Sequence, residues 1–293
     1  MKEIIPYFGK NPLDRLDLVR RDENEFTRIK NLENSLFLLF HNGELLFDKE
    51  EKYLFSKEHL DTQEAVLLGE YENTYYFALY IQELSEDFIP RSLREIAEEN
   101  LVKEEFLGVL AQGAAVLNWH QSHQYCPFCG NKTHMVHAGW QRDCLTCKKE
   151  HFPRVDPVVI MLVTFQGRCL VGRGAHFPSK RYSSLAGYME SGESIEDAAR
   201  RELYEEAGVK GTEVKYLFCQ PWPFPSTLMI GLHVKAKSQE LRIDKEEIAD
   251  AKWLDKKEVE RLLQNDTDSE IQLPSHLAIS RNLLEWWIQN DVD

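Results

Sequence analysis

The segment GYMESGESIEDAARRELYEEAGV, residues 187–209, decides the fold class of this chain of 293 residues. Ser194, with Asp197 three residues later, provides the side-chain oxygen of a helix N-cap. Residues 198–207 are good helix formers, and Gly208 suits the left-handed conformation that ends many helices. The segment therefore predicts a loop that leads into a single helix.

Three glutamates on this predicted helix lie three or four residues apart and share one side: Glu202, Glu205 and Glu206. Crowded carboxylates repel unless hard cations neutralise them, and oxygen-only ligation is what Mg²⁺ or Mn²⁺ prefers. A solvated acidic helix face is the alternative, but the glycines and Arg201 in this register favour a metal site. Because Arg201 precedes the acids on the same helix, we expect it to orient a glutamate rather than to contact substrate.

A family resemblance rests on the spacing within this segment. Five residues separate Gly187 from Glu193, and seven more precede Arg201-Glu202-Leu203, Glu205-Glu206 and Gly208-Val209, which fits the Nudix signature without a mismatch. The chain resembles Nudix hydrolases. The resemblance implies a C-terminal Nudix α/β/α sandwich with a mixed sheet. It also implies that the helix carboxylates and the backbone carbonyl of Ala186 bind two or three divalent cations, which hold a diphosphate and activate water.

Cysteine spacing predicts a second metal site. The pairs Cys126-Pro-Phe-Cys129 and Cys144-Leu-Thr-Cys147 are separated by fourteen residues. Two such chelating pairs on tight turns complete the tetrahedral thiolate shell that Zn²⁺ prefers, so the pattern predicts a zinc ribbon with a structural metal. A redox pair or a set of unpaired cysteines is the less favoured alternative.

A stiff aromatic segment follows the predicted helix. Three prolines fix the backbone around Trp222 and Phe224, whose rings suit stacking on nicotinamide or adenine, although such segments also pack core edges. The segment resembles the array that marks NADH pyrophosphatases among the Nudix hydrolases. Cys219 and Thr227 stand where that family has serine. The resemblance implies substrate contacts from Gln220, Pro221, Trp222, Pro223, Phe224, Pro225, Ser226 and Thr227.

Other matches to the NADH pyrophosphatase family extend over most of the chain, including Trp119-His120, Phe152-Pro153-Arg154, Asp156-Pro157 and residues 243–247. They imply that Glu247 is an additional metal ligand and a fourth catalytic carboxylate, the alternative being a surface acid beside Glu246. The resemblance further implies a substrate pocket lined by Phe152, Ile160 and Tyr188, with contacts from Ser280 and Arg94. Gly139 departs from the family pattern, because some relatives have a substrate-contacting glutamate there.

The N-terminal third has strand signals but almost no motif. Residues 35–41 and 44–48 flank Asn42-Gly43, which predicts a type I′ hairpin, and residues 64–69 and 74–82 predict a second strand pair. Apolar spacing predicts a helical region that opens at Pro90 and ends near Trp119. We therefore expect an N-terminal α+β domain at residues 1–119, a central zinc ribbon at 120–152 and a Nudix hydrolase domain at 153–293, with a last helix at 277–289.

The amino-acid composition limits the classes of binding partner and the cellular locations that we expect for this protein. The formal charge of -14 opposes sequence-independent attraction to nucleic acid, so cations or local basic groups must meet an anionic substrate. No stretch approaches the length of about 18 apolar residues that spans a bilayer, and the first ten residues lack the apolar core of a signal peptide. We therefore expect a cytoplasmic protein without membrane contact.

The resemblance predicts metal-dependent hydrolysis of NAD(H) to NMN(H) and AMP, with catalytic Mg²⁺ or Mn²⁺ and structural Zn²⁺, in a homodimer. Removal of the NAD cap from RNA 5′ ends is the rival, supported by five Lys or Arg against two acids between His120 and Arg154. A non-catalytic binding module is the alternative of another class, and it predicts the loss of signature acids. All of these acids are present.

Overall fold

The computed structural model describes residues 4–58, 60–264, 269–290 and 292. Contacts divide the chain into two compact units. The ribbon unit contains residues 10–155 and 221–226, and the sandwich unit contains residues 1–9, 156–220 and 227–293, so far as they are described. In the described part of the chain, no helix combines the length and the apolar character needed to cross a membrane.

The ribbon unit contains eight of the strands, β1 (Ser35–His41), β2 (Glu44–Asp48), β3 (Val66–Tyr71), β4 (Thr74–Tyr80), β5 (Phe88–Arg91), β6 (His134–Val136), β7 (Gln141–Asp143) and β8 (Glu150–His151). Its helices are α1 (Asp17–Arg20), α2 (Glu23–Lys30), α3 (Leu93–Glu98) and α4 (Leu107–Ser122). The first five strands form a sheet in the order β3-β4-β1-β2-β5, in which β1 and β4 are parallel. Helix α4 packs on this sheet, which confirms the predicted N-terminal α+β fold.

Both predicted hairpins form. Asn42 and Gly43 have positive φ values of 49° and 82° between β1 and β2, as a type I′ turn requires. The second turn consists of Glu72 and Asn73, with φ values of 50° and 60°. Strand β3 therefore runs to Tyr71, two residues beyond the predicted strand end, because the turn uses only two residues.

The predicted helical region begins later than expected. Pro90 lies in β5 and pairs with Leu46, so the opening of a helix at Pro90 is wrong. Helix α3 begins after Ser92, whose side chain accepts a hydrogen bond from the backbone N–H of Glu95. Proline is tolerated in β5 because this strand is at the edge of the sheet.

The sandwich unit contains β9 (Asp156–Phe165), β10 (Arg168–Gly174), β11 (Leu185–Tyr188), β12 (Gly211–Trp222), β13 (Thr227–Ala236) and β14 (Ile248–Asp255). Its helices are α5 (Ile195–Ala207), α6 (Lys256–Leu263) and α7 (Ile279–Gln289). The strands form a mixed sheet in the order β12-β13-β9-β10-β14, with β13 parallel to β9 and β11 paired antiparallel to β9.

Helices cover both faces of this sheet. Alternate residues of β9 point to opposite faces, so that Met161 belongs to a core with α5 and Leu162 to a core with α6 and α7. Helix α5 contributes Leu203 to the first core, and α7 contributes Trp287 to the second. The predicted α/β/α sandwich is confirmed.

Helix α5 is the helix predicted from residues 187–209, and its ends follow the local signals. The side chain of Ser194 accepts a hydrogen bond from the backbone N–H of Asp197 at 3.1 Å. Gly208 ends the helix with a φ of 69°, in the left-handed region where glycine is favoured. These two caps fix the residues at which α5 begins and ends, and they thereby fix the position of its glutamates relative to β11.

Candidate functional site

Arg201 donates hydrogen bonds to several glutamates in and beside the acidic cluster, which consists of Glu202, Glu205 and Glu206 on α5 together with Glu247. Its Nε and Nη2 atoms donate to the two carboxylate oxygens of Glu193 at 2.6 and 2.9 Å. Its Nη1 donates to Glu202 at 2.7 Å and to Glu205 at 2.9 Å. Nη2 also donates to the backbone carbonyl of Tyr188 at 2.9 Å. The expectation that Arg201 orients helix glutamates agrees with this geometry, and the same side chain ties the loop before α5 to β11.

Glu193 had no assigned role beyond its place in the signature. The Arg201 hydrogen bonds and a hydrogen bond from the backbone of Glu190 lower the pKa of Glu193 to about 2. A carboxylate held in this way stays ionised at any working pH and keeps Arg201 in place. The signal that could have found this role is the spacing of eight residues between Glu193 and Arg201, since a loop can fold back over two helical turns.

Glu206 is the most buried acid of the cluster, with 7% of its surface exposed. Within the described part of the chain, its Oε2 atom is buried and has no hydrogen-bond partner. Burial and the nearby carboxylates of Glu202 and Glu247 raise the pKa of Glu206 to about 8. A hydrogen bond from the Ala186 backbone opposes this shift. Glu206, Glu202, Glu247 and Ala186 therefore lie close together.

Gly187 lets β11 approach α5. A Cβ atom built on Gly187 would overlap the carboxyl group of Glu202. Glu202 is itself partly buried, and this burial raises its pKa despite the ion pair with Arg201. The glycine of the signature has a direct steric reason here, because any side chain at position 187 would displace Glu202.

Glu247 reaches the cluster from the segment before β14. The backbone N–H of Asp244 donates to the carbonyl of Glu206 at 3.1 Å, and the carbonyl of Glu247 accepts from Ala175 at 2.8 Å. These bonds connect the segment both to the end of α5 and to the loop after β10. The charge of Glu247, and not that of its neighbour Glu246, is a leading electrostatic cause of the raised pKa values of Glu202 and Glu206.

This donor set suits a hard divalent cation. It offers only oxygen atoms, and the buried unpaired oxygen of Glu206 and the mutual repulsion of the acids are costs that a cation would remove. In the described structure Arg201 holds the carboxylates of Glu202 and Glu205. The predicted ligand roles of Ala186 and of the four glutamates stay predictions.

The four ribbon cysteines converge as the spacing predicts. The sulfur atoms of Cys126 and Cys147 are 3.5 Å apart, and those of Cys129 and Cys144 are 3.4 Å apart. All four sulfur atoms lie within 4.8 Å of one another. A tetrahedral shell with Zn–S bonds of about 2.3 Å has sulfur–sulfur edges of roughly 3.8 Å, so the cluster fits a zinc ion.

The two zinc knuckles have matching backbone geometry. The N–H of Gly130 donates to the carbonyl of Cys126 at 2.8 Å, and the N–H of Lys148 donates to the carbonyl of Cys144 at 2.9 Å. Each of these residues follows the second cysteine of its pair and has a positive φ, 72° for Gly130 and 59° for Lys148. Both pairs are therefore presented on the tight turns expected of a structural zinc ribbon, which the ribbon strands β6, β7 and β8 support.

The aromatic segment, residues 221–226, covers the end of β12 and the connection to β13. Within the ribbon unit its two rings contact Arg94. The rings of Trp222 and Phe224 are arranged edge to face with centroids 5.0 Å apart. The guanidinium of Arg94 lies 5.1 Å from the Trp222 ring centroid and 4.6 Å from that of Phe224. The structure thus brings together Arg94 and the two rings predicted to contact substrate. Pro221 lies at the end of β12, Pro223, Pro225 and Ser226 belong to the connection, and Thr227 opens β13 opposite Asp156.

Three other predicted substrate contacts are buried within the sandwich unit. The amide nitrogen of Gln220 donates to the carbonyls of Tyr7 and Leu277, and its oxygen accepts from Ile279 at 2.9 Å. Ser280 is 1% exposed and accepts a hydrogen bond from the backbone N–H of Ser184 at 2.8 Å. Ile160 pairs with Ala186 in the sheet. Substrate contacts by these three side chains stay predictions, and their observed contacts are internal.

Two predicted pocket aromatics are exposed in their own units. Tyr188 ends β11 with 63% of its surface exposed, and Phe152 follows β8 with 60% exposed. Each ring is therefore accessible to a ligand in its own unit. Their roles in substrate binding stay predictions.

Two of the three departures from the family pattern, Gly139 and Cys219, have different settings. Gly139 has a φ of 91°, and a Cβ there would press against Val66, so a glutamate would be strained at this position. The carbonyl of Gly139 accepts a hydrogen bond from His120 at 2.8 Å. Cys219, in β12, forms a side-chain hydrogen bond that raises the pKa of Tyr216 to about 12.

Comparison with known protein families finds three adjoining matches. The NADH pyrophosphatase-like rudimentary NUDIX domain matches residues 34–119, the NADH pyrophosphatase zinc ribbon domain matches 121–152, and the NUDIX domain matches 153–274. These matches follow one another along the chain with almost no gap.

Relatives of this chain are named as NAD-capped RNA hydrolases and as an NAD(P)H pyrophosphatase. The chain is 34% identical over 235 residues to the NAD-capped RNA hydrolase NudC of Mycobacterium bovis, covering 76% of this chain and 75% of that protein. It is 43% identical over 198 residues to human NAD-capped RNA hydrolase NUDT12, covering 64% of this chain and 43% of that protein. The mouse mitochondrial NAD(P)H pyrophosphatase NUDT13 is 37% identical over 192 residues, covering 62% of this chain and 54% of its own. The chain thus spans less than half the length of the human relative.

Proposed function

Because this chain belongs to the zinc-ribbon NADH pyrophosphatase family of the Nudix hydrolases, we propose that it hydrolyses the diphosphate bond of NAD(H). The products are NMN(H) and AMP. The carrying observation is the buried carboxylate of Glu206, which has an unpaired oxygen and two acidic neighbours, Glu202 and Glu247. Such a cluster is costly in an apoprotein and is accounted for by a cation that binds the substrate diphosphate.

The metal is proposed to be Mg²⁺ or Mn²⁺, held by Glu202, Glu205, Glu206, Glu247 and the carbonyl of Ala186. When bound, such a cation neutralises charge on the phosphate oxygens and lowers the pKa of coordinated water. The oxygen ligands alone favour these hard ions over softer ones. Zinc is assigned to the four ribbon cysteines, where it stabilises the fold.

The protein side chains position the reaction and accept its proton. The oxygen of a water molecule forms a bond to one phosphorus, and the bond from that phosphorus to the bridging oxygen breaks. The bridging oxygen leaves on the second phosphate. A glutamate of the cluster takes the proton that the water loses, and Arg201 holds Glu202 and Glu205 for this task. Both products carry a phosphate monoester.

Substrate binding is proposed to use the aromatic groups that the family pattern marks. Trp222 and Phe224 offer ring faces for a base, and Arg94 adds a positive charge beside them. Tyr188 is proposed to cover the nicotinamide, and Phe152 is proposed to line the substrate pocket, as the family resemblance implies. Gln220, Ile160 and Ser280 are proposed to act from within the core, by shaping the surface on which the ligand rests.

The test is mass spectrometry of the products after incubation of the full-length protein with NADH, with and without Mn²⁺. We expect NMNH and AMP in equal amounts, and only when metal is present. A Glu206→Gln protein that turns over NADH at the wild-type rate would contradict the proposed role of the acidic cluster. The same variant removes the alternative of a non-catalytic binding module if it is folded but inactive.

Removal of the NAD cap from RNA is the second candidate, favoured by the names of the Mycobacterium bovis and human relatives. Of the five basic residues between His120 and Arg154, Arg142 is buried and donates to Thr133, which leaves four at the surface. Among these, Lys149 lies 5.2 Å from the centre of the exposed Phe128 ring, a pairing that suits single-stranded RNA.

A charge reversal separates the two substrates. We expect Lys148→Glu/Lys149→Glu to slow cleavage of NAD-capped RNA while leaving cleavage of free NADH unchanged. Lys257→Glu, an exposed lysine in α6, is the matched control. Negligible cleavage of capped RNA by the wild-type protein eliminates this candidate.

A homodimer and a cytoplasmic location complete the proposal. The homodimer follows from the family resemblance and is tested by light scattering on the purified protein. The cytoplasmic location agrees with the cysteines, all six of which are free of disulfide bonds and four of which form the ribbon cluster. Fluorescent tagging in the source cell tests the location.

A further inference from the structure

Arg173, at the end of β10, is an arginine without a partner. Within the described residues its side chain has no hydrogen bond or ion pair, and its Nε atom is buried. The residue as a whole is only partly exposed. Buried donors are almost always paired, and a charged group left unpaired is costly, so this guanidinium needs a physical explanation.

The neighbouring acid does not provide that partner. Asp250 is the cross-strand partner of Arg173 in β14, yet its carboxylate accepts a hydrogen bond from the Tyr182 hydroxyl and lies 3.7 Å from the Lys252 ammonium. Asp250 is therefore already neutralised by other groups. Among the residues that the structure describes, Arg173 therefore has no structural ion pair, which is the usual reason for a half-buried arginine.

Strand alternation places Arg173 on the sheet face that carries Ile160 and Ala186. Cys169 and Val171 belong to the core with α6 and α7, and the register with β14 is regular from Arg168 to Arg173 and shifts between Arg173 and Gly174. Side chains two residues apart along a strand share a face. Ile160 lies in the same core, and Ala186 packs against it.

Arg173 also lies two residues before Ala175, whose backbone contacts Glu247 of the acidic cluster. Gly174 pairs with Ile248, and the N–H of Ala175 donates to the carbonyl of Glu247 at 2.8 Å. The end of β10 that carries Arg173 is thus hydrogen-bonded to the segment that brings Glu247 to Glu202 and Glu206. A positive group at this place is complementary to an anion that the acidic cluster would hold through cations.

We propose that Arg173 is a phosphate-binding residue, whose guanidinium donates hydrogen bonds to a non-bridging oxygen of the substrate diphosphate. The planar fork of arginine matches phosphate oxygens, and it provides donors that a carboxylate–cation site lacks. This inference rests on the proposed function for the identity of the diphosphate. No residue of the signature assigns this contact, since Arg173 precedes the signature by fourteen positions.

The test uses Arg173→Met, Arg173→Lys and the matched control Arg168→Met, an exposed arginine at the other end of β10. Calorimetric titration with methylenediphosphonate in Mg²⁺ measures binding without turnover, and NADH kinetics measure KM and kcat. We expect Arg173→Met to weaken methylenediphosphonate binding and to lower kcat/KM roughly 10- to 100-fold, the range for a hydrogen bond to a charged group. Arg173→Lys should lie between Arg173→Met and the wild type.

Thermal stability distinguishes ligand binding from a structural role. Removal of an unpaired buried donor should leave the melting temperature of ligand-free Arg173→Met equal to that of Arg168→Met or higher. Equal methylenediphosphonate affinity in Arg173→Met and Arg168→Met overturns the inference. The inference is also overturned if Arg173→Met and Arg173→Lys lose affinity to the same extent and both have lowered melting temperatures. If the wild-type protein cleaves no dinucleotide, the proposed function fails, and the titration alone then decides the role of Arg173.

Discussion

Glu206 combines burial, an unpaired oxygen and acidic neighbours, and this combination makes it the most informative single residue. We predict that Glu206→Gln lowers NADH turnover on the order of 100-fold or more, because it removes a charged ligand from the proposed cation site. The same change should leave the metal-free protein as stable or more stable, since it removes a buried acid whose ionised form is disfavoured in the folded protein. Steady-state kinetics and thermal denaturation in EDTA measure the two effects, and a destabilised, fully active variant would contradict both.

Gly187 is the second residue whose role is steric. We predict that Gly187→Ala lowers turnover about 100-fold, since the added Cβ displaces the Glu202 carboxylate and small displacements of catalytic groups are costly. Gly174→Ala is the control for folding, because its Cβ would meet neighbouring atoms only at 3.7 Å. The idea fails if Gly187→Ala has wild-type kinetics and an unchanged Mn²⁺ requirement.

Helix α5 and the loop before it work as one element because Arg201 joins them. We predict that Arg201→Lys lowers Mn²⁺ affinity and turnover roughly 10- to 100-fold, the usual cost of losing an outer-shell partner. A lysine ammonium cannot reproduce bonds to Glu193, Glu202, Glu205 and the Tyr188 carbonyl together. Arg200→Lys, one position earlier on the exposed side of the helix, is the control. Equal effects of the two substitutions would contradict this prediction.

Strands β9 and β13 are linked by a buried histidine whose protonation should weaken the sheet. The hydroxyl of Thr164 and Nε2 of His233 are 2.7 Å apart. Burial, and then the charges of Lys215 and Lys235, lower the pKa of His233 from 6.5 to about 4. The unfolded chain therefore binds the proton more readily than the folded protein between these values, so this contribution to stability is present above pH 6.5 and is lost as the pH falls towards 4.

The pH dependence can be measured directly. We predict that the melting temperature of the wild-type protein falls more steeply between pH 6.5 and 4 than that of His233→Gln, which has no titrating ring. His276→Gln, at an exposed position of the same unit, should keep the wild-type profile. Parallel profiles for the wild type and His233→Gln would show that His233 does not contribute.

Over the whole chain, short sequence patterns correctly predicted the features that depend on interactions between residues close in sequence. The cysteine pairs, the caps of α5 and the Asn42-Gly43 turn depend on residues a few positions apart, and all three have the predicted form. The internal contacts of Gln220 and Ser280 join segments 57 and 96 residues apart. No sequence spacing indicates contacts between such distant segments, so a role for Gln220 and Ser280 was predicted only from the family resemblance.

The failures also have physical reasons. Pro90 reads as the first residue of a helix, but its strand pairing with Leu46 depends on the distant β2 hairpin. Arg173 has no local motif, and only the sheet register shows which face it shares. The acidic charge of -14 gives no information on the four exposed basic residues of the ribbon, because net charge averages over the whole surface.

The most direct test of the account is product analysis of NADH incubated with the full-length protein, comparing Mn²⁺ with EDTA and the wild type with Glu206→Gln. We expect NMNH and AMP from the wild type in Mn²⁺, neither product from either protein in EDTA, and product formation by Glu206→Gln in Mn²⁺ that is slower on the order of 100-fold or more. Intact NADH and intact NAD-capped RNA after incubation with the metal-loaded wild type would contradict it.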